Sequence, residues 1–197
     1  MTLWDDVRTF HEACSIRLRA TSGWVSDQEV DLAMSLVDEE LRELADAVAA
    51  GDLVEAADAL ADSLYVLAGF ALRLCVARTY INDLLTDPVG VPSWAAFKNI
   101  EHLQGLNKRL HDAVDARNLN ATDALIHQAM YECQAIGLAL RIPMASVWDA
   151  VQSSNMAKLV DGQVLRHPVS NKIMKPESWV PPNIAGVLAL HGYETAS

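Results

Sequence analysis

Asp38-Glu39-Glu40-Leu41-Arg42-Glu43 and, after a short gap, Glu55-Ala56-Ala57-Asp58-Ala59-Leu60-Ala61-Asp62-Ser63-Leu64-Tyr65-Val66-Leu67-Ala68-Gly69 decide how this chain folds. Glu40 and Glu43 stand three apart, with Glu39 beside Glu40; Glu55, Asp58 and Asp62 fall at spacings of three and four. On an α-helix, residues so spaced share a face. Between the stretches, Gly51 is a helix stop, and Asp52 with Glu55 has the form of a capping box that starts the next helix. A one-residue hinge between two helices predicts an antiparallel hairpin, which brings the two acidic faces together.

Two accounts of these carboxylates compete. An isolated Glu-x-x-Glu is most simply a solvated helix face, because Glu is a good helix former. Here Asp58 and Asp62 stand among Ala, Leu and Val, with few polar neighbours to share such a face. Burial is therefore the better account. Like charges converging between packed helices repel and lose hydration, so they call for a counter-ion. Oxygen-only ligands select a hard cation, Mg²⁺ or alternatively Mn²⁺. Glu-x-x-His is absent from the sequence, which argues against a ferritin-like di-iron bundle.

Outward from the hairpin the apolar pattern stays helical. Leu3, Val7, Phe10, Cys14 and Leu18 line one face of a first helix over roughly Leu3 to Arg19. Ser26 with Glu29 opens the second helix as a capping box, and the third runs toward Val76. Asp87 to Pro92 is a loop by its Pro and Gly content, and Ser93 caps a fourth helix ending near Ala116. Asn118 or Asn120 caps a fifth, which ends before Pro143, and a sixth covers about Ala145 to Leu159. Gln163 to Leu165 forms at most one short strand. The expectation is an all-α bundle of five to six helices in one domain over 1–197, with an irregular tail over 160–197 packing on it.

The chain has 197 residues, 26 of them Asp or Glu against 15 Lys or Arg, for a formal charge of −11. Fifteen of the 26 acids fall within the first 62 positions, so the excess is concentrated on the first helices and the hairpin. Such a chain, without a Lys/Arg cluster, repels nucleic-acid backbones and anionic membrane surfaces. The longest apolar run, Leu64 to Leu72, is too short to span a bilayer. The start, Met1-Thr2-Leu3-Trp4-Asp5-Asp6, lacks the features of a signal peptide. Cys14, Cys75 and Cys133 form no CxxC pair and read as thiols in a reducing compartment, so a cytoplasmic location is expected.

A weak internal repeat is visible. Glu43 to Leu53 resembles Arg109 to Leu119, and Gly69 to Leu74 resembles Gly137 to Ile142 with a two-residue slip. Convergence of two Ala/Leu-rich hairpins explains it equally well. If the repeat is real, the second copy has lost its acids: Leu106, Arg109 and Gln128 stand where the first has Glu40, Glu43 and Asp62. Such a copy could brace the first, or offer Lys108 and Arg109 to phosphate.

Glu39-Glu40-Leu41-Arg42-Glu43 followed by Asp58-Ala59-Leu60-Ala61-Asp62-Ser63-Leu64-Tyr65 resembles the all-α nucleoside triphosphate pyrophosphohydrolases, the MazG-like and phosphoribosyl-ATP-pyrophosphohydrolase-like proteins that include phage and integron-borne members. Val7-Arg8-Thr9-Phe10-His11 is similar to their opening helix. Val147 to Lys158, Asp161-Gly162 and Lys175 to Pro182 are similar to their last helix and tail. The stretch 77–144 is then an insertion or a degenerate second hairpin. The family pattern of Glu-x-x-Glu followed by Glu-x-x-Asp is broken at Ala59, which holds the place of a Glu; Asp58 beside it substitutes, and Asp62 is preferred as ligand over a Glu55–Asp58 register.

The resemblance implies hydrolysis of a nucleoside triphosphate to monophosphate and pyrophosphate. Glu40, Glu43, Asp58 and Asp62 would hold Mg²⁺, and Glu39 or Glu40 would orient and deprotonate the attacking water. Lys158 would meet phosphates and Asn155 sugar or phosphate, while Arg166, Lys172 and Lys175 bring positive charge over the nucleotide. The resemblance also implies a homo-oligomer, a dimer or tetramer, although a true internal repeat would let one chain mimic a dimer. Simpler accounts stand beside these: Lys158 as a helix C-terminal charge, Asn155 as a surface residue, and His11 as a structural hydrogen-bonded group. Trp24, Tyr65 and Trp179 are read as core before base-stacking. Two further functions compete: a non-catalytic nucleotide- or protein-binding module of the same fold, and a hydrolase of phosphoribosyl-ATP.

Overall fold

In the computed structural model, which describes residues 2–77, 85 and 95–193, helices dominate. The order is α1 (Leu3–Ala13), α2 (Asp27–Ala50), α3 (Leu53–Leu74), α4 (Ala95–Asp115), α5 (Leu119–Leu140), α6 (Met144–Met156), β1 (Leu159–Val160), β2 (Gln163–Val164) and α7 (Ile184–Leu190). The all-α expectation holds. The predicted Asp87–Pro92 loop and Ser93 cap lie outside the described residues.

Local chemistry sets the ends of the two helices that matter most. Ser26 and Glu29 form a reciprocal capping box at the start of α2. The left-handed Gly51 (φ 69°) ends that helix, and the Asp52 carboxylate accepts from the Val54 and Glu55 amides to start α3. Asp52 is thus a simple N-cap. The α4–α5 turn repeats this design, with Arg117 left-handed (φ 50°) and Asn118 capping α5 through the Ala121 amide.

Two antiparallel hairpins, α2–α3 and α4–α5, pack against each other chiefly through α3 and α5, with α2 on α4. Helix α3 is the axis of the molecule. Its apolar residues are buried on all sides, from Ala56 and Ala57 through Leu60, Leu64 and Leu67 to Phe70 and Leu74, as expected of a helix with apolar residues all round. Helices α1, α6 and α7 cover its remaining surface. The Trp148 indole of α6 donates to the buried Asp6 carboxylate of α1 at 2.9 Å, and Tyr65 of α3 stacks on Trp148 and donates to Gln152 at 2.8 Å.

Three boundaries differ from the sequence expectation. Helix α1 stops at Ala13, because Ser15 turns left-handed (φ 56°) and the Ile16 amide bonds back to the His11 carbonyl. Leu18 still packs on the core, but from a loop. The tail contains a two-stranded hairpin closed by Asp161 (φ 52°) and Gly162 (φ 73°), where one strand at most was expected. Both central residues are left-handed, as a twisted two-residue hairpin loop requires. A seventh helix, α7, follows the tail prolines and buries Ile184 and Leu188.

Candidate active site

The two walls of one groove are set by helical spacing. On α2 the side chains of Leu32, Leu36, Glu40 and Glu43 recur every three or four residues; on α3 Asp58, Asp62, Val66, Gly69 and Arg73 do the same. Because the hairpin is antiparallel, the acids of both helices meet at one end and the apolar residues at the other. Phe10 and His11 of α1, Ser154 and Asn155 of α6, and the tail close the groove into a cavity of about 340 Å³, a volume in the range of small-ligand sites. All eight residues singled out from the sequence, Glu39, Glu40, Glu43, Asp58, Asp62, Asn155, Lys158 and Lys175, line it.

Charge is crowded at the acidic end. Burial, then the neighbouring Asp62, Glu43 and Glu39, push the Glu40 carboxyl up to about 8. Burial, then Asp62 and Glu55, raise Asp58 to about 7. Asp62 is raised by burial as well, against the pull of Lys158 and Lys175. One Asp58 oxygen, Oδ1, is buried without a hydrogen-bond partner. Ala59, where the family pattern has Glu, is buried in the core, and Glu55 is exposed outside the cavity; the acidic face of α3 is therefore Asp58 and Asp62.

Cations come from the far end of the chain. Lys158 donates to Asn155 Oδ1 at 2.6 Å, and Asn155 hydrogen-bonds the Asp62 carboxylate, so a relay links α6 to α3. Burial lowers the Lys158 pKa, with Asp62 opposing the shift. Lys172 reaches Glu39 at 2.5 Å, and Lys175 lies 4.1 Å over the Trp179 ring. Two anchors hold this tail in place. Arg166 donates to the Cys14 carbonyl at 2.6 Å, and the Trp179 indole donates to the Ser154 carbonyl at 3.0 Å. Trp179 is thus tail and cavity wall rather than plain core.

The donor set suits a hard divalent cation: four carboxylates, an orphaned buried oxygen and mutual repulsion that a cation would relieve. As the side chains stand, no group of three or more His, Cys, Asp or Glu among the described residues is arranged to hold a metal ion. Binding would therefore draw these carboxylates inward.

Two further residues line this cavity: His11, read from the sequence as a structural hydrogen-bonded group, and Arg73, which sequence reasoning passed over. His11 is buried, its Nδ1 lies 2.8 Å from the Val7 carbonyl, and burial lowers its pKa to about 4. A carbonyl only accepts, so Nδ1 carries the proton and the ring is neutral at pH 7. The other is Arg73, which is 8% exposed and pairs with Glu29 at 2.9 Å. Its place on the acidic face of α3, eleven residues from Asp62, was the available signal. Lys108 and Arg109 are exposed on α4 and lie outside the cavity lining, so the second hairpin contributes no phosphate contact there.

The α2–α3 hairpin thus gathers carboxylates at one end of a groove that the far end of the chain lines with lysines. Residues 7–81 match the family model for phosphoribosyl-ATP pyrophosphohydrolase, a family of the MazG-like all-α nucleoside triphosphate pyrophosphohydrolase superfamily. No curated protein and no solved structure matches the chain. No helix among the described residues is long and apolar enough to cross a membrane.

Proposed function

We propose that the chain is a Mg²⁺-dependent hydrolase that cleaves a nucleoside or deoxynucleoside triphosphate to the monophosphate and pyrophosphate. The observation that carries this reading is the single cavity in which Glu40, Glu43, Asp58 and Asp62 face Lys158, Lys172 and Lys175. Glu40, Glu43, Asp58 and Asp62 would hold the cation, which supplies charge neutralisation at the phosphate oxygens. Lys158 and Lys175 bind phosphate oxygens as point charges, and Asn155 orients Asp62 while offering its amide to the sugar or phosphate. Glu39 or Glu40 takes the proton of the attacking water as its oxygen bonds the α-phosphorus and pyrophosphate leaves. The tail, pinned at Arg166 and Trp179, limits water entry.

The second hairpin is read as a degenerate copy of the first. It packs α5 against α3 and braces the site without lending a side chain to the described cavity lining.

A second substrate, phosphoribosyl-ATP, is favoured by the matched family's name and by an adjoining cavity of about 310 Å³ whose Arg17 and Arg166 suit a further phosphate. The test is pyrophosphate release with Mg²⁺ across ribo- and deoxynucleoside triphosphates and phosphoribosyl-ATP. The proposal fails if all are inert and if Glu40→Gln and Glu43→Gln leave Mg²⁺ binding and stability unchanged.

A further inference from the structure

Opposite the carboxylates, the groove ends on Arg73, whose ion-pair partner Glu29 lines the adjoining cavity. Glu40 to Glu29 along α2 and Asp62 to Arg73 along α3 are both eleven residues, about 16 Å of helix rise. A nucleotide whose phosphates sit among the acids and lysines would therefore lay its base between Leu36, Val66 and Phe70, with the base edge toward Arg73. Gly69 belongs to this stretch. A methyl group there would stand 2.8 Å from the His11 ring, so the glycine lets α1 close on α3 and gives the base slot a neutral imidazole wall.

Arg73 is built to be fixed and is left under-satisfied. Its Nη2 donates to Glu29 Oε1 at 2.9 Å, and its buried Nε has no partner. Glu29 is itself locked, because its other oxygen accepts from the Ser26 hydroxyl at 2.6 Å and the Ser26 amide at 3.2 Å. A guanidinium has donors only, so what it lacks is an acceptor. The Glu29 charge offsets that of Arg73, which suits the pair to the edge of a neutral ring rather than to a phosphate. We infer that Arg73, held by Glu29, is the base-reading residue of this site and selects bases that turn a carbonyl oxygen to it, as guanine, uracil and thymine do, over the amino-bearing adenine and cytosine. An exocyclic carbonyl oxygen facing Arg73 meets its donors, whereas an exocyclic amino group in the same place sets donor against donor.

This inference rests on the nucleotide-site reading, and its test separates the two. Wild-type protein is assayed with Mg²⁺ for pyrophosphate release from dGTP, dTTP, dATP and dCTP, and the four monophosphates are titrated calorimetrically in chelator. The expected result is a kcat/KM ratio of roughly tenfold or more in favour of dGTP and dTTP, with the same order in monophosphate binding. Arg73→Gln is expected to bring the ratio near one. The double variant Arg73→Gln/Glu29→Gln, which removes both charges together, serves if the single variant does not fold. Equal or preferred use of dATP or dCTP by wild-type protein overturns the inference and leaves the hydrolase standing, as does a folded variant that keeps the wild-type ratio. Carbonyl-base monophosphates that bind preferentially while no triphosphate is cleaved support the base reading and sink the hydrolase.

Discussion

Glu40→Gln tests whether the acidic end of the groove is strained without a cation. Ionised Glu40 is opposed by burial and by three neighbouring carboxylates, which raise its carboxyl from 4.5 to about 8. The whole of that displacement corresponds to roughly 5 kcal/mol against the ionised form, and solvent at the open side of the cavity screens it to about 2–3 kcal/mol. The sign follows from linkage. A carboxyl whose folded pKa lies above its unfolded one binds more protons when folded. Its favourable contribution is complete below about 4.5 and is lost as pH rises toward about 8. Glutamine resembles the protonated carboxyl in shape and carries no charge at any pH.

In chelator the variant should therefore match wild-type protein near pH 5, within about 0.5 kcal/mol. It should exceed wild-type stability by about 2–3 kcal/mol near pH 9, a gain of roughly 4–10 °C in Tm for a chain of this size. Chemical and thermal denaturation at pH 5, 7 and 9 measure the difference. Adding Mg²⁺ at pH 8 should raise the wild-type midpoint more than that of the variant, because the cation binds the folded state through the side chain removed. A stability difference that is flat with pH, or a variant that is the weaker at pH 9, refutes the account of Glu40 as a buried, repelled carboxylate.

Other consequences are checked by simpler measurements. Gly69→Ala should cost roughly 1–3 kcal/mol in a urea titration, since its methyl group meets the His11 ring with α1 and α3 packed around it. Trp148→Phe should cost about 2–3 kcal/mol, because the buried Asp6 carboxylate, whose Oδ1 already lacks a partner, would also lose its indole donor. Specific activity should stay constant on dilution to nanomolar protein if α1, α2, α3, α6 and the tail of one chain complete the cavity; activity lost with dilution would instead support the homo-oligomer that the family resemblance implies.

What could be read from the sequence was local or periodic. Ser26 with Glu29, Gly51 and Asn118 announce helix ends because a short side chain or a missing one acts within three residues of its own position. Glu40 with Glu43 and Asp58 with Asp62 announce a shared face because the helix repeat is fixed. The end of α1 was misplaced because Cys14 and Leu18 continue the apolar spacing although the backbone has already turned at Ser15. Helix α7 was missed because seven residues are too few for periodicity to declare itself. Pairings such as Lys172 with Glu39, 133 residues apart, and Arg73 with Glu29 depend on how hairpin and tail meet, which one-dimensional spacing does not encode.

The family match covers 7–81, and the acids of the cavity all lie inside it, whereas its lysines and Asn155 all lie beyond it. The two halves solve opposite problems. A buried carboxylate cluster is costly alone and is relieved by a cation; Lys158, buried beside Asp62, is costly alone and is relieved by an anion. Each half partly serves the other in the free protein, through the Lys158–Asn155–Asp62 relay and the Lys172–Glu39 pair. On the proposed function, a cation bound with a triphosphate would satisfy both at once, the cation taking the carboxylates and the phosphates the lysines thereby released. The formal charge of −11 is then no obstacle to a polyphosphate substrate. The same charge would oppose polyanions that arrive without a cation partner.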